Sequence, residues 1–218
     1  MAAKLQKSLA APMRLARPNE GVAIDLVQRK IVDKNGNSVS ILSGDMTNAP
    51  VPDRRYSAEV ADVVMHRNLV RLMFAQEEAN LVSLRSMVVV SVRTTGIRQF
   101  LDSLRKLDGG ITLETLAKSS GVIADELTPI KSDAVQGNIG VRASNIVMAI
   151  ANDEACLDFY QASAFAVRAG SFSNKLAVEP VVRIELNFSL FLGLVKKLWA
   201  LEKDWPTDDA LNIHGVQK

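Results

Sequence analysis

Two histidines, one cysteine and 24 carboxylates are the side chains from which this 218-residue sequence could build a reaction centre. His66 falls beside an expected strand end and His214 in a polar tail, so the sequence offers no His-based metal site or catalytic triad. Cys156 follows Asn152, Asp153 and Glu154 with no histidine nearby. Its neighbours Ala155, Leu157 and Phe159 make it a buried structural thiol rather than a nucleophile, and Asp153–Glu154 a turn. Asp33, Asn35 and Asn37 match the first three ligand positions of a calcium loop, but the sixth position is Ser38 and the twelfth is Gly44. With no carboxylate to close the coordination sphere, Asx-rich turn chemistry explains the segment. The 12 glycines are scattered and form no phosphate-cradling loop. No carboxylate pair has acid–base spacing. Two tryptophans and two tyrosines without interleaved basic residues make no stacking platform for single strands. The expectation is a non-enzyme with no catalytic residue, cofactor or metal.

What the sequence does contain is hydrophobic pattern, and the pattern recurs. Val63, Val64 and Met65 are matched by Ile146, Val147 and Met148 at an offset of 83, and Phe74–Ala75–Gln76 by Phe159–Tyr160–Gln161 at 85. Val88, Val90 and Val92 are matched by Val182, Ile184 and Leu186 at 94. That last offset holds through Ile97, Phe100, Leu101, Leu104 and Leu107 against Phe191, Leu194, Val195, Leu198 and Leu201. A constant offset across a strand-to-helix junction is what a duplicated supersecondary unit shows. Alternation predicts strands near 58–65, 69–77 and 84–93, then a helix from about Gly96 to Lys106. In the second unit it predicts strands near 142–150, 156–168 and 178–188, then a helix over 189–202.

Around these units the chain divides into a basic arm over 1–20, a hairpin and loop over 21–57, the first unit over 58–110, a connector over 111–140, the second unit over 141–204 and a polar tail over 205–218. The arm carries Lys4, Lys7, Arg14 and Arg17 without an acid, and reads as a poorly ordered tail, with an organellar presequence as the alternative. The hairpin rests on alternating Val22, Ile24 and Leu26, resumed at Val39 and Ile41 after the 33–37 turn. In the connector, residues 112–122 have the look of the first helix and turn of a helix-turn-helix. The segment after them, Ala124 to Pro129, is acidic and ends in proline, which is wrong for a major-groove reader. The net charge of +2 supplies no global attraction to nucleic acid or anionic lipid. The lone cysteine fits a reducing cytoplasm, and no apolar run reaches membrane-spanning length.

The fold class expected is therefore α+β: two tandem units of antiparallel meander plus one covering helix, with an N-terminal hairpin, able to pack or pair about a pseudo-twofold axis. One asymmetry points to a surface. The third strand of the second unit turns Arg183, Glu185 and Asn187 outward, whereas the outward positions of the first unit's third strand include Met87, Val89 and Ser91. An apolar outer face needs a cover, which is another part of the chain, a second subunit or a client peptide. Met65, Met73, Met87 and Val89 are the candidate binding residues, methionine being both an adaptable contact and ordinary core filler.

The segments Tyr56 to Val60, Arg71 to Gln76 and Met87 to Arg93, followed by the helix through Phe100, Leu101 and Leu104, resemble the SecB-like fold of an export chaperone and a related bacterial family. The resemblance covers about half the chain. The sequence departs from SecB itself in being longer, duplicated and not acidic. It implies a protein-binding or assembly role. The expected function is a cytoplasmic, chaperone-like or assembly protein that binds other polypeptides or itself as a homo-oligomer. The alternatives are a self-assembling component of a phage or mobile element, and a nucleic-acid-binding regulator.

Overall fold

The computed structural model describes residues 22–32, 38–44, 46, 49–66, 68–77, 84–105, 113–130, 138–151, 153–166 and 175–205. The N-terminal arm, the 33–37 turn with its calcium-loop look-alike, Thr112 at the start of the helix-turn-helix look-alike and the tail beyond Trp205, His214 included, lie outside them.

Strands β1 (Val22–Val32) and β2 (Ser38–Gly44) make the expected hairpin. β3 (Arg55–Ala58) follows, within a stretch expected to be loop. β4 (Val60–His66), β5 (Leu69–Glu77) and β6 (Leu84–Arg93) form an antiparallel meander that runs directly into α1 (Thr94–Arg105). Helix α1 buries Ile97, Phe100, Leu101 and Leu104, the i, i+3, i+4, i+7 stripe of an amphipathic helix. α2 (Leu113–Ser120) stops at Gly121, whose φ of +67° is the left-handed value glycine accepts without strain. Residues 122–130 continue without helix, so the second helix of a helix-turn-helix is missing among the described residues.

In the second half, β7 (Asn138–Ala143) and β8 (Asn145–Ala151) replace the single strand expected over 142–150, because the chain bends at Ser144. β9 (Glu154–Gln161) is shorter than expected, and a helical turn occupies 164–166. β10 (Lys175–Asn187) leads into α3 (Phe188–Glu202). The Asn187 side chain caps α3 by accepting the Leu190 N–H at 2.7 Å, a contact of the kind that contributes about 1 kcal/mol.

The fold is α+β, with two meander-plus-helix units and the N-terminal hairpin. The first sheet runs β4-β5-β6-β7, and the second runs β2-β1-β10-β9-β8 with β3 also beside β10. Not every pairing is antiparallel. β7 joins β6 in parallel, and β3 joins β10 in parallel. Each unit thus lends its leading strand to the sheet of the other. β10 serves two neighbours along one edge, β1 through Val178 and β3 from Arg183. The switch falls at the irregularity between Pro180 and Val182, where proline has no N–H to give to a ladder.

The two halves have matching registers. Pairs Val60↔Ala75 and Asn145↔Tyr160 differ by 85 at both positions, and Val89↔Gly140 and Arg183↔Arg55 occupy equivalent places at offsets of 94 and 85. The corners agree too. Glu59 N–H donates to Ala75 O at 3.0 Å and Ser144 N–H to Tyr160 O at 2.8 Å, while Thr94 N–H donates to Asn68 O at 3.1 Å and Phe188 N–H to Asp153 O at 2.7 Å. Even the corner side chains act alike, Glu59 Oε2 accepting the Glu77 N–H and Ser144 Oγ the Ala162 N–H, both at 2.8 Å. The register corrects one sequence match. Val63 is equivalent to Met148 and not to Ile146, since the offset at β4 and β8 is 85 and not 83.

The inner faces of the two sheets share one core. Phe74 and Phe159, equivalent residues, meet across it with ring centroids 6.1 Å apart. Each helix lies chiefly along the first meander strand of the other half, α1 on β8 and α3 on β4, instead of covering its own sheet alone. Close approach to neighbouring backbone requires glycine on both helices. A Cβ on Gly96 would sit 2.4 Å from Ser144 O, and one on Gly193 would sit 2.3 Å from Asp125 O. Arg105 of α1 pairs with Glu202 of α3, tying the helices together at the surface.

Candidate functional site

Residues directly opposite in a ladder share a face, so the registers read out the outer surface of the first sheet row by row. One row is Val60, Ala75, Met87 and Asn138; the next is Asp62, Met73, Val89 and Gly140. The third is Val64, Arg71, Ser91 and Arg142, and the fourth is His66, Leu69 and Arg93.

The four sequence candidates separate on this map. Met87 is 3% exposed, so it belongs to the interior and cannot itself be a contact surface. Met65 alternates to the inner face and packs half-buried against the main core. Met73 and Val89 are cross-strand neighbours on the outer face, each half-buried. Val64, 43% exposed, extends the apolar strip on β4, and on β7 beside Val89, Gly140 leaves open space where a side chain would stand. The accessible apolar surface is therefore Val64, Met73 and Val89 rather than the full methionine set.

One end of this strip is closed and the other is charged. At β4, Asp62 is buried; it ion-pairs with Lys197 of α3 and accepts the N–H groups of Val63 at 2.7 Å and Ile130 at 3.1 Å. The equivalent positions in the other half are Val147 and Ser103, so this polar clamp is peculiar to the first sheet. At the other end, Arg71, Arg93, Arg142 and His66 are all exposed. None of the four forms an ion pair among the described residues. Sequence reading missed these arginines because they come from three strands, and only the parallel pairing of β7 brings Arg142 beside Ser91.

The matching surface of the second sheet is differently built. Arg183 and Asp158, equivalent to Val89 and Met73, hold each other by a two-pronged contact at 2.6 and 2.7 Å. That hydrogen bonding keeps the Arg183 guanidinium above its ordinary value. Next to it Tyr160, Ala162, Leu176 and Val178 form a small second core with Met46 and Ala49 packed on it. Cys156 is on this face opposite Glu185, half-buried, its thiol pushed up by burial. That environment opposes thiolate formation and suits the structural role read from its neighbours.

Burial, reinforced by the Asp158 carboxylate, pushes the Tyr160 phenol from its ordinary 10.0 up to about 12. A folded-state value above the unfolded one means stability is intact below about pH 10 and is lost as the pH rises from about 10 to about 12. Urea midpoints measured across that interval are expected to fall for the wild type and to lose the Tyr160 part of that slope in Tyr160→Phe.

A cleft of about 480 Å³ opens at the end of the first sheet opposite the arginines, between Glu59–Ala61, Glu77, Leu84, Leu190 and the 125–130 segment. Its walls carry Glu59, Glu77, Asp125 and Glu126 over an apolar floor. Glu59 is committed to the Glu77 N–H, and Asp125 to the Ser189 hydroxyl at 2.5 Å. Among the described residues no group of three His, Cys, Asp or Glu side chains could hold a metal ion. Among them, too, no helix is long and apolar enough to cross a membrane. No protein-family model, no curated protein and no solved structure matches the chain.

Proposed function

We propose that the chain is a non-enzymatic, cytoplasmic polypeptide-binding protein, chaperone-like or an assembly factor, that seats its partner on the outer face of the first sheet. One observation carries this reading. Val64, Met73 and Val89 form an accessible apolar strip over an open glycine position, whereas the equivalent second-sheet positions of Met73 and Val89 are Asp158 and Arg183, locked in an ion pair. Apolar surface of this kind gains about 25 cal/mol for each Å² that a partner removes from water. The sequence resemblance to SecB-like proteins supports the same role.

Val89→Asp tests the site. The position is half-buried on a central strand, so the variant is expected to remain folded, with a stability loss of about 1–2 kcal/mol. Wild type is expected to suppress light scattering from a reduced, aggregating protein substrate, and the variant is expected to lose that activity. Equal suppression by both proteins, with circular dichroism unchanged, removes the face as the binding site.

Self-assembly is the second reading, favoured by the cleft. Its carboxylates lie at one end of the first sheet and the exposed arginines at the other, which allows head-to-tail contact between copies. Light scattering coupled to size exclusion separates the two readings. A concentration-dependent series of large assemblies without substrate favours this second one.

A further inference from the structure

On the reading that the outer face of the first sheet holds a polypeptide, we propose that its partner is an extended segment that presents carboxylates and aliphatic residues together on one face, at every second position. Arg71 and Arg142 flank Ser91 in a single cross-strand row, and Arg93 stands one row further along the middle strand. Strand spacing puts the Cα atoms of Arg71 and Arg142 about 10 Å apart, and Arg93 about 7 Å along from their row. An extended chain repeats its side chains on one face every ~7 Å, so acidic residues two positions apart reach neighbouring guanidinium groups.

The charge on this surface is one-sided. Among the described residues its carboxylates are Asp62, buried and held by Lys197, and Glu77 at the opposite end of the sheet. Guanidinium matches carboxylate geometry with two parallel hydrogen bonds, and an unpaired exposed arginine is free to make them. Val64, in the row of Arg71 and Arg142, and Met73 and Val89, in the next row, offer the aliphatic half of the match. Nucleic acid fits less well. The four outer rows contain no Phe, Tyr or Trp on which a base could stack, and the net charge of +2 gives the chain little long-range pull on a polyanion.

The test uses the full chain and three fluorescent probes: a short peptide with Glu and Leu placed in turn at every second position and Ser between them, the same peptide with Lys in place of Glu, and a single-stranded oligonucleotide. The acidic peptide is expected to bind, the basic one to bind at least about tenfold more weakly, and raising salt from about 0.05 to about 0.5 M to weaken the acidic complex severalfold. The double variant Arg71→Ala, Arg142→Ala is expected to lose at least about tenfold of that affinity with an unchanged thermal midpoint, as surface residues away from the core allow. Equal binding of the two peptides, or indifference to the arginine substitutions, overturns the acidic partner. If Val89→Asp still abolishes binding in that case, the face remains the polypeptide site and only its charge preference is lost. Preference for the oligonucleotide, or no binding of any probe, also overturns the proposal. Sedimentation that shows self-association blocked by the arginine variant assigns the surface to a second copy instead, and overturns it as well.

Discussion

Replacing Phe159 with alanine is expected to remove about 3–5 kcal/mol of stability, the range for truncating a fully buried aromatic side chain. The ring is wholly buried, lies on the inner face of β9, and meets Phe74 at 6.1 Å with a 60° tilt, a geometry in which the edge of one ring faces the other. Because the two are equivalent residues of the two halves, Phe74→Ala is expected to cost about as much. The double variant is expected to cost less than the sum, since both single changes remove the same contact. Urea denaturation followed by tryptophan fluorescence and by circular dichroism measures all three. The two probes are expected to coincide in every variant, because one core spans both sheets and leaves no half to unfold alone. Separate transitions for the two halves would contradict that shared core.

Lys197→Met is expected to cost about 2–3 kcal/mol, below the ~3–5 kcal/mol of a fully buried pair that loses one partner. Two features set the discount. The lysine side chain is 32% exposed while Asp62 is 3% exposed, and the carboxylate keeps the Val63 and Ile130 N–H groups after the lysine has gone. The other half of the molecule shows how the same place can be filled without charge, with Val147 on β8 and Ser103 on α1. Copying that solution, Asp62→Val with Lys197→Ser is expected to recover about half of the single-variant loss, and the two orphaned backbone donors account for the rest. Thermal and urea midpoints of Asp62→Val, Lys197→Ser and the double complete the cycle. A double variant no better than Lys197→Met alone would show that the carboxylate matters for the 122–130 segment rather than for the helix.

The alternating valines at 88, 90 and 92 and the stripe through Ile97, Phe100, Leu101 and Leu104 were readable because a buried face imposes its period on the sequence. The same holds for Val182, Ile184 and Leu186 and for the helix behind them. β3 was not readable. It is four residues long, carries Arg55 and Ser57 on its exposed side, and takes its partner from the far half of the chain. Hydrophobic period tells which way a side chain points but not which strand lies alongside, so the lending of β3 and β7 left no trace. Residue type also misled the alignment of the halves. Ile146, Val147 and Met148 look like Val63, Val64 and Met65, yet the ladder makes them equivalent to Ala61, Asp62 and Val63. For the site, the outward parity of Met87 and Val89 was legible, while the depth of Met87 and the inward turn of Met65 depend on what packs above and below the sheet.

The lent strands also dictate the order in which this protein can be made. Arg55 pairs with Arg183, 128 positions later, so β3 leaves the ribosome long before the strand that receives it exists. The first meander is released with its β6 edge open until β7 has been synthesised, and with α1 lacking the strand it lies along. Contacts this distant in sequence close slowly, and an open edge is a template for the wrong neighbour while it waits. The first half therefore reaches its complete native pairing only after β7 has been synthesised, and until then its β6 edge is open to other chains.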